Sequence, residues 1–229
     1  MDFNTFFSAE NMINLGTNLA TIIGGLLVGF YTFSKKFAEF KTTNESKSIA
    51  KGDIKRQSEV DMKIIKRLEE AKECLNADRV QIYDFHNGVH YANGRSAIKI
   101  TCTYEACRYG IKSYQNRLSG LPISCLPNFI STLLNDGKFE CKDIKELENE
   151  YPATYSFKKN MDIKSFYDVV FHNEEGDVVG FIAIQFCNNE FNINQEEIQR
   201  LVGYVEAELS ILIEEQNRQE DISKIKEKR

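Results

Sequence analysis

An α+β fold with a central antiparallel sheet and flanking helices, preceded by one transmembrane helix and a helical stalk, is predicted for this 229-residue chain by three observations. Apolar residues recur at three- and four-residue steps around residue 60, change beyond Asp78 to a period of two or to short apolar runs, and return to helical spacing after Asn194. That succession describes a helix, a set of strands with short helical insertions, and a closing helix. Ahead of it, residues 11–34 carry no charged side chain, in a chain that is otherwise rich in them.

The uncharged run predicts a membrane span. At about 1.5 Å per residue it reaches roughly 36 Å as a helix, enough for a hydrocarbon layer of about 30 Å. Lys35 and Lys36 close it abruptly, which predicts a cytoplasmic body and leaves residues 1–10 as a short tail on the far side. A cleaved signal peptide would need a basic start and small residues at its end, whereas Asp2 and Glu10 precede the run and Phe37 and Phe40 follow it. Within the run, Gly25 and Gly29 stand four residues apart, a spacing that lets two such helices approach closely and predicts self-association through this face.

Composition narrows the remainder. Hydrophobic content of 42% supports a real core, and a net charge of -5 excludes a nucleic-acid binder working by bulk electrostatics. Six cysteines show no Cys-x-x-Cys pair and no zinc spacing, which fits buried thiols in a reducing compartment. Residues 35–57 read as a basic juxtamembrane linker or stalk, since their lysines outnumber their acids; such a segment is drawn to an anionic leaflet.

The body is predicted over residues 58–216, with a charged tail at 217–229. Val60, Ile64, Leu68, Ala71 and Leu75 form one helical stripe, broadened by Met62 and Ile65, and the Asn76-Ala77-Asp78 signal ends it. Strands are expected at 79–86 and 97–104, with Asn87-Gly88 and Asn93-Gly94 turning the chain between them. A short helix at 126–134, a strand at 138–141 and a helical turn at 143–151 follow. Residues 165–172 and 178–186 form the clearest strand pair, joined by the loop 173–177. Asn194 caps the last helix, with Glu197 at the capping-box position, and Ile198, Leu201, Val202, Val205, Leu209 and Leu212 make its apolar stripe.

The segment Glu175-Gly176-Asp177-Val178-Val179-Gly180-Phe181-Ile182-Ala183-Ile184-Gln185 resembles the last hairpin of the GAF domain family. Phe191-Asn192-Ile193-Asn194-Gln195-Glu196-Glu197-Ile198 resembles its entry into the last helix, and Leu75-Asn76-Ala77-Asp78-Arg79-Val80-Gln81-Ile82-Tyr83 its first helix-to-strand join. The resemblance implies a GAF/PAS-like sheet whose first and last helices pack on one face and pair with those of a second subunit. On that basis Leu68, Leu201, Val205 and Leu209 join Gly25 and Gly29 as the predicted dimerisation residues. The other face would carry short helices and loops around a small-molecule pocket, the ligand being a small metabolite or nucleotide. The cyclic-nucleotide signature of the family is missing, and no kinase, cyclase or phosphodiesterase segment follows, so the resemblance implies sensing without an attached output enzyme.

Candidate ligand residues concentrate at strand ends. Alternation places Asp84 and His86 on one face, opposite Tyr83 and Phe85, where a carboxylate beside an imidazole can bind a polar ligand. A hydrogen-bonded loop anchor involving His86 and Asn87 is the competing reading. Tyr104, Glu105 and Arg108 follow the second strand, and Arg108 offers a planar fork for carboxylate or phosphate. Asp168 and Gln185 interrupt otherwise apolar late strands. His86 and His90 have metal-ligand spacing only on a helix, which Asn87-Gly88 opposes, so no metal site is predicted. Two other functions compete with a non-catalytic sensor: an assembly protein of viral or mobile-element type that oligomerises through the GAF-like body, and a thiol enzyme resembling GAF methionine sulfoxide reductases, for which Cys102, Cys107 and Cys125 are the candidates.

Overall fold

The computed structural model describes residues 51–227, together with Tyr31, Thr32 and Ser34. The remainder of the predicted span at 11–34, including Gly25 and Gly29, lies outside the described residues, as do the tail at 1–10 and residues 35–50. Among the described residues no helix is long and apolar enough to cross a membrane.

The chain runs α1 (Lys51–Cys74), β1 (Arg79–His90), β2 (Ser96–Cys107), β3 (Leu121–Pro122), α2 (Pro127–Asp136), β4 (Lys138–Cys141), α3 (Leu147–Glu150), α4 (Pro152–Lys159), β5 (Ser165–His172), β6 (Val178–Phe186) and α5 (Gln195–Glu227), with short 3-10 turns around β3 and before α3. The strands form one six-stranded antiparallel sheet in the order β3-β2-β1-β6-β5-β4. Helices α1 and α5 cover one face; α2, α3 and α4, with the β2–β3 connection, cover the other.

The stripe on α1 explains its seat. Val60, Ile64, Leu68, Ala71 and Leu75 are all buried against Val80, Ile82 and the α5 residues Ile198, Leu201 and Val205. Met62, expected to widen the stripe, faces solvent instead, because at 100° per residue it falls outside the arc that the sheet covers. Helix α1 is already formed at Lys51, ahead of the Ser58 start expected from the apolar stripe. At its other end Asn76 takes a left-handed conformation (φ 49°), Ala77 N–H donates to Lys72 C=O at 2.9 Å and Asn76 N–H to Glu73 C=O at 3.1 Å. This pair of hydrogen bonds closes the helix and aims the chain into β1.

Three expectations need correcting. β1 does not end at His86. It continues to His90, with Asn87 opposite Ile98, and the turn falls at 91–95, where Gly94 has φ +80°. Gly88 serves a different purpose from turning: the ladder bulges there, and a Cβ would lie 2.3 Å from the Ala97 carbonyl oxygen. Helix α4 was not expected. It starts on Pro152 at its first turn, but eight residues are too few to establish a period. Finally, Tyr104 and Glu105 lie within β2, which extends to Cys107. An extra residue at Thr103 shifts the register, so Ile100 and Cys102 join the core beneath α2 and α4 while Tyr104 and Ala106 join the core beneath α1.

Candidate functional site

Along β1 the odd positions Arg79, Gln81, Tyr83 and Phe85 point to the face covered by α2 and α4. The first three carry polar atoms into a buried layer, and each finds a partner. Arg79 donates to the Gln185 side-chain oxygen at 2.8 Å and to the Lys112 carbonyl at 2.7 Å, and its guanidinium lies 5.0 Å from the Tyr114 ring centre. The Gln185 amide donates to the Gln81 oxygen at 2.8 Å, which also accepts from the Tyr83 hydroxyl at 2.9 Å, and Gln81 donates to Glu105 at 2.7 Å. The buried Glu105 carboxylate then fastens the β2–β3 connection, accepting from the Tyr114 N–H at 3.0 Å and from the Ser113 hydroxyl. Burial pushes the Tyr83 phenol well above its ordinary pKa, with Cys102 and Asp168 adding to the rise.

Deeper under α4, Lys158 donates to Asp168 at 2.5 Å, and its ammonium sits 3.9 Å from the centre of the Phe166 ring. Both side chains are buried, and Asp168 Oδ1 has no hydrogen-bond partner. Burial raises the Asp168 carboxyl and lowers the Lys158 ammonium, each shift being partly offset by attraction to the other. Beside Lys158 a cavity of about 10 Å³ is lined by Tyr83, Phe129, Thr154 and Phe181. That volume is about one water molecule. The face on which a ligand pocket was expected is therefore filled by aromatic packing, with Tyr83 stacked on Phe181 at 4.7 Å and Phe129 edge-on to the same ring.

A much larger concavity opens where β1 begins and β6 ends. This basin of about 520 Å³ is bordered by Arg79, Gly110, Lys112, Lys159, Asp162, Lys164 and Cys187, among others. Its walls are set by local chain chemistry. Asp162, left-handed at φ 59°, ends α4 as Asn76 ends α1, with Ile163 N–H donating to Lys158 C=O at 3.1 Å. On the neighbouring side one carboxylate oxygen of the buried Asp78 accepts the N–H groups of Cys187, Asn188 and Asn189 at 2.6–2.8 Å, which pins the turn after β6.

The eight residues singled out from sequence do not converge. Glu105 and Gln185 share the Arg79–Gln81 network, and Asp168 lies on the same face in its own pair with Lys158. Asp84 and His86 follow Val80 and Ile82 on the opposite face: Asp84 accepts from the Thr103 hydroxyl at 2.6 Å, and His86 Nε2 is 2.8 Å from the Thr101 hydroxyl. Burial raises the Asp84 pKa, against the pull of Thr103 and His86. Tyr104 donates to Asp61 of α1 at 2.6 Å. Asn87 is exposed in the outer part of the β1–β2 hairpin. Arg108 lies at the α1–β1 joint, donating to Asn76 at 3.1 Å with Nε 3.7 Å from Asp78. Leu68, Leu201 and Val205 are wholly buried in the chain's own core, and Leu209 is half-buried, so the first three do not form a surface for a second copy. Glu197 pairs with Arg67 at 2.7 Å, while Asn194 caps α5 by accepting from the Glu196 and Glu197 N–H groups.

Sequence reading overlooked Arg79, Gln81, Lys112, Lys158, Lys159 and Lys164. Arg79 and Gln81 were discoverable, as polar residues that alternate with the apolar Val80 and Ile82 at the start of a strand. Lys158 was not, because its helix went unrecognised.

No family model matches the chain, and no curated protein does. Among solved structures the chain is similar to the GAF domain of Thermosynechococcus elongatus PixJ in its blue-light-absorbing form, with a TM-score of 0.56 and 12% identity over 75% of this chain and 95% of that one. It is also similar to the phycoerythrobilin-bound GAF domain of a cyanobacterial phytochrome, with a TM-score of 0.51 and 18% identity over 70% and 91% of the two chains. A red/green cyanobacteriochrome in its red-light-absorbing state gives a TM-score of 0.51 and 15% identity over 69% and 96%. The fold is thus GAF-like, with the sheet and flanking helices expected from sequence. Identities this low establish the scaffold alone.

Proposed function

We propose that the protein is a non-catalytic ligand-binding module of GAF-like fold, tethered to a membrane through residues 11–34, with its body on the cytoplasmic side and pairing with a second copy. The observation that carries the ligand-binding reading is the basin of about 520 Å³, a volume within the range of about 300–1,000 Å³ usual for small-molecule sites. Arg79 joins its wall to Gln185 and Gln81 across the sheet, so occupancy has a route to the strands on which α1 and α5 rest. The tether rests on the uncharged run and the lysines that close it. Pairing rests on Gly25 and Gly29.

The state of the thiols supports a non-catalytic role. Burial pushes the Cys102 thiol up, and the Cys107 and Cys187 thiols to about 11, which leaves them protonated and poorly nucleophilic at neutral pH. Cys125 is exposed. The cavity of about 10 Å³ under α4 holds about one water molecule, which favours the basin as the place for a ligand.

The same filled interior favours a second reading, an assembly protein in which the GAF-like body serves only to oligomerise. A thermal-shift screen of the full chain against nucleotides and metabolites separates the two, because a ligand selective for the folded state raises its apparent stability. A Tm rise that saturates with concentration supports the module; a flat response across a broad panel, with stable oligomers in light scattering, supports assembly. Recovery of the full chain in the supernatant of a detergent-free lysate after ultracentrifugation would refute the tether.

A further inference from the structure

We propose that the basin takes a small phosphoryl-bearing anion, an assignment that rests on the ligand-binding reading above and names its ligand class. Four cationic side chains, Arg79, Lys112, Lys159 and Lys164, border the concavity against one carboxylate, Asp162. With Arg79 offset by the buried Glu105 and one lysine by Asp162, a surplus of two positive charges is left, in a chain whose formal net charge is -5. Such a concentration of one sign within a concave wall raises the local concentration of counter-ions.

The three lysines are not consumed by internal ion pairs, whereas Arg79 Nε lies 3.6 Å from the buried Glu105 carboxylate. Among the described residues, none of the three lysines pairs with a carboxylate. Lys159 Nζ meets the neutral Tyr155 hydroxyl at 3.0 Å, and Lys112 Nζ lies 5.1 Å from the centre of the Tyr114 ring. That ring also carries the Arg79 guanidinium on its π-system, so two of the basin's cations are drawn to one buried side chain.

Arg79 differs from the lysines in being fixed. It is buried and oriented by Gln185 and the Lys112 carbonyl, and its Nε, without a hydrogen-bond partner, lies 3.6 Å from the Glu105 carboxylate. Three exposed ammonium groups around one concave wall, with the buried Arg79 guanidinium behind them, suit an oxyanion with several equivalent acceptors, which describes a phosphoryl group better than a neutral metabolite. The basin volume exceeds that of phosphate alone, which leaves space for the organic part of a soluble phosphate ester.

The test is calorimetric titration of the detergent-solubilised full chain with inorganic pyrophosphate, at ionic strength held constant with chloride. Saturable binding is expected, weakened at least about ten-fold in the triple variant Lys112→Gln, Lys159→Gln, Lys164→Gln. All three lysines are exposed, so the unliganded Tm of that variant should match the wild type. Heats no larger than those of chloride, or equal affinity in the triple variant, overturn the proposal. If neutral metabolites raise the Tm while pyrophosphate does nothing, the anion class falls and the ligand-binding module stands; if neither acts, both fall.

Discussion

Lys158 and Asp168 meet at 2.5 Å beneath the Phe166 ring, bringing the last turn of α4 onto the centre of β5. Removal of one partner from such a pair strands the other in a low-dielectric layer. Lys158→Met should therefore cost about 3–5 kcal/mol, whereas Lys158→Met combined with Asp168→Leu should recover most of the loss. Chemical denaturation of the single and double variants checks this. A double variant as unstable as the single would show that packing, and not the stranded charge, sets the cost.

Glu105 holds the β2–β3 connection through Ser113 and Tyr114. Glu105→Gln retains the shape but weakens the charge-assisted bonds, for an expected loss of about 1.5–3 kcal/mol. The Tyr114 amide should exchange with solvent faster while amides of α1 and α5 are slowed or sped only with global stability. Uniform acceleration across the chain would place Glu105 in the general core and not at this connection.

Asp84 makes stability depend on pH. Its folded-state pKa is raised, so the folded chain binds the proton more tightly than the unfolded one does. The resulting contribution is fully present below the ordinary carboxylate pKa of about 4 and is lost as pH rises through the raised folded value. Asp84→Asn keeps an acceptor for the Thr103 hydroxyl without the charge. It should raise the Tm at neutral pH, with the advantage vanishing towards acid. An advantage constant from acid to neutral pH would contradict the assignment.

Gly180 lies opposite Asp84 in the ladder, and a Cβ there would stand 2.3 Å from the Tyr83 carbonyl oxygen and 2.4 Å from the Phe171 ring. Backbone cannot withdraw from a central strand, so Gly180→Ala should destabilise by about 1–3 kcal/mol or more. Thermal melts would reveal it. Gly203, which has open space around its Cα, serves as the control glycine and should accept alanine with little change or a small gain.

Local signals, where they existed, were legible in the chain. The α1 and α5 stripes, the bounds of β4, β5 and β6, the Asn76 stop and the Asn194 cap all follow from periodicity or turn chemistry within a few residues. Asn87-Gly88 misled because a dipeptide that permits a turn equally permits a bulge, and only the approach of Ala97 from another strand selects between them. The site was less legible. Asp84 and Glu105 both prove to be strand carboxylates, yet the extra residue at Thr103 helps to put them on opposite faces of the sheet.

Sequence by itself determined the alternation of elements and which face of each is apolar, since those depend on spacing along one helix or strand. Tertiary structure alone decided which polar residues meet. Arg79 and Gln185 are 106 positions apart, and become neighbours only because β1 pairs with β6. Lys112, Lys159 and Lys164 border one basin because two loops and the end of α4 close around the ends of the central strands β1 and β6. Periodicity reports the direction a side chain takes from its own backbone, whereas a binding surface is made of residues brought together across the fold.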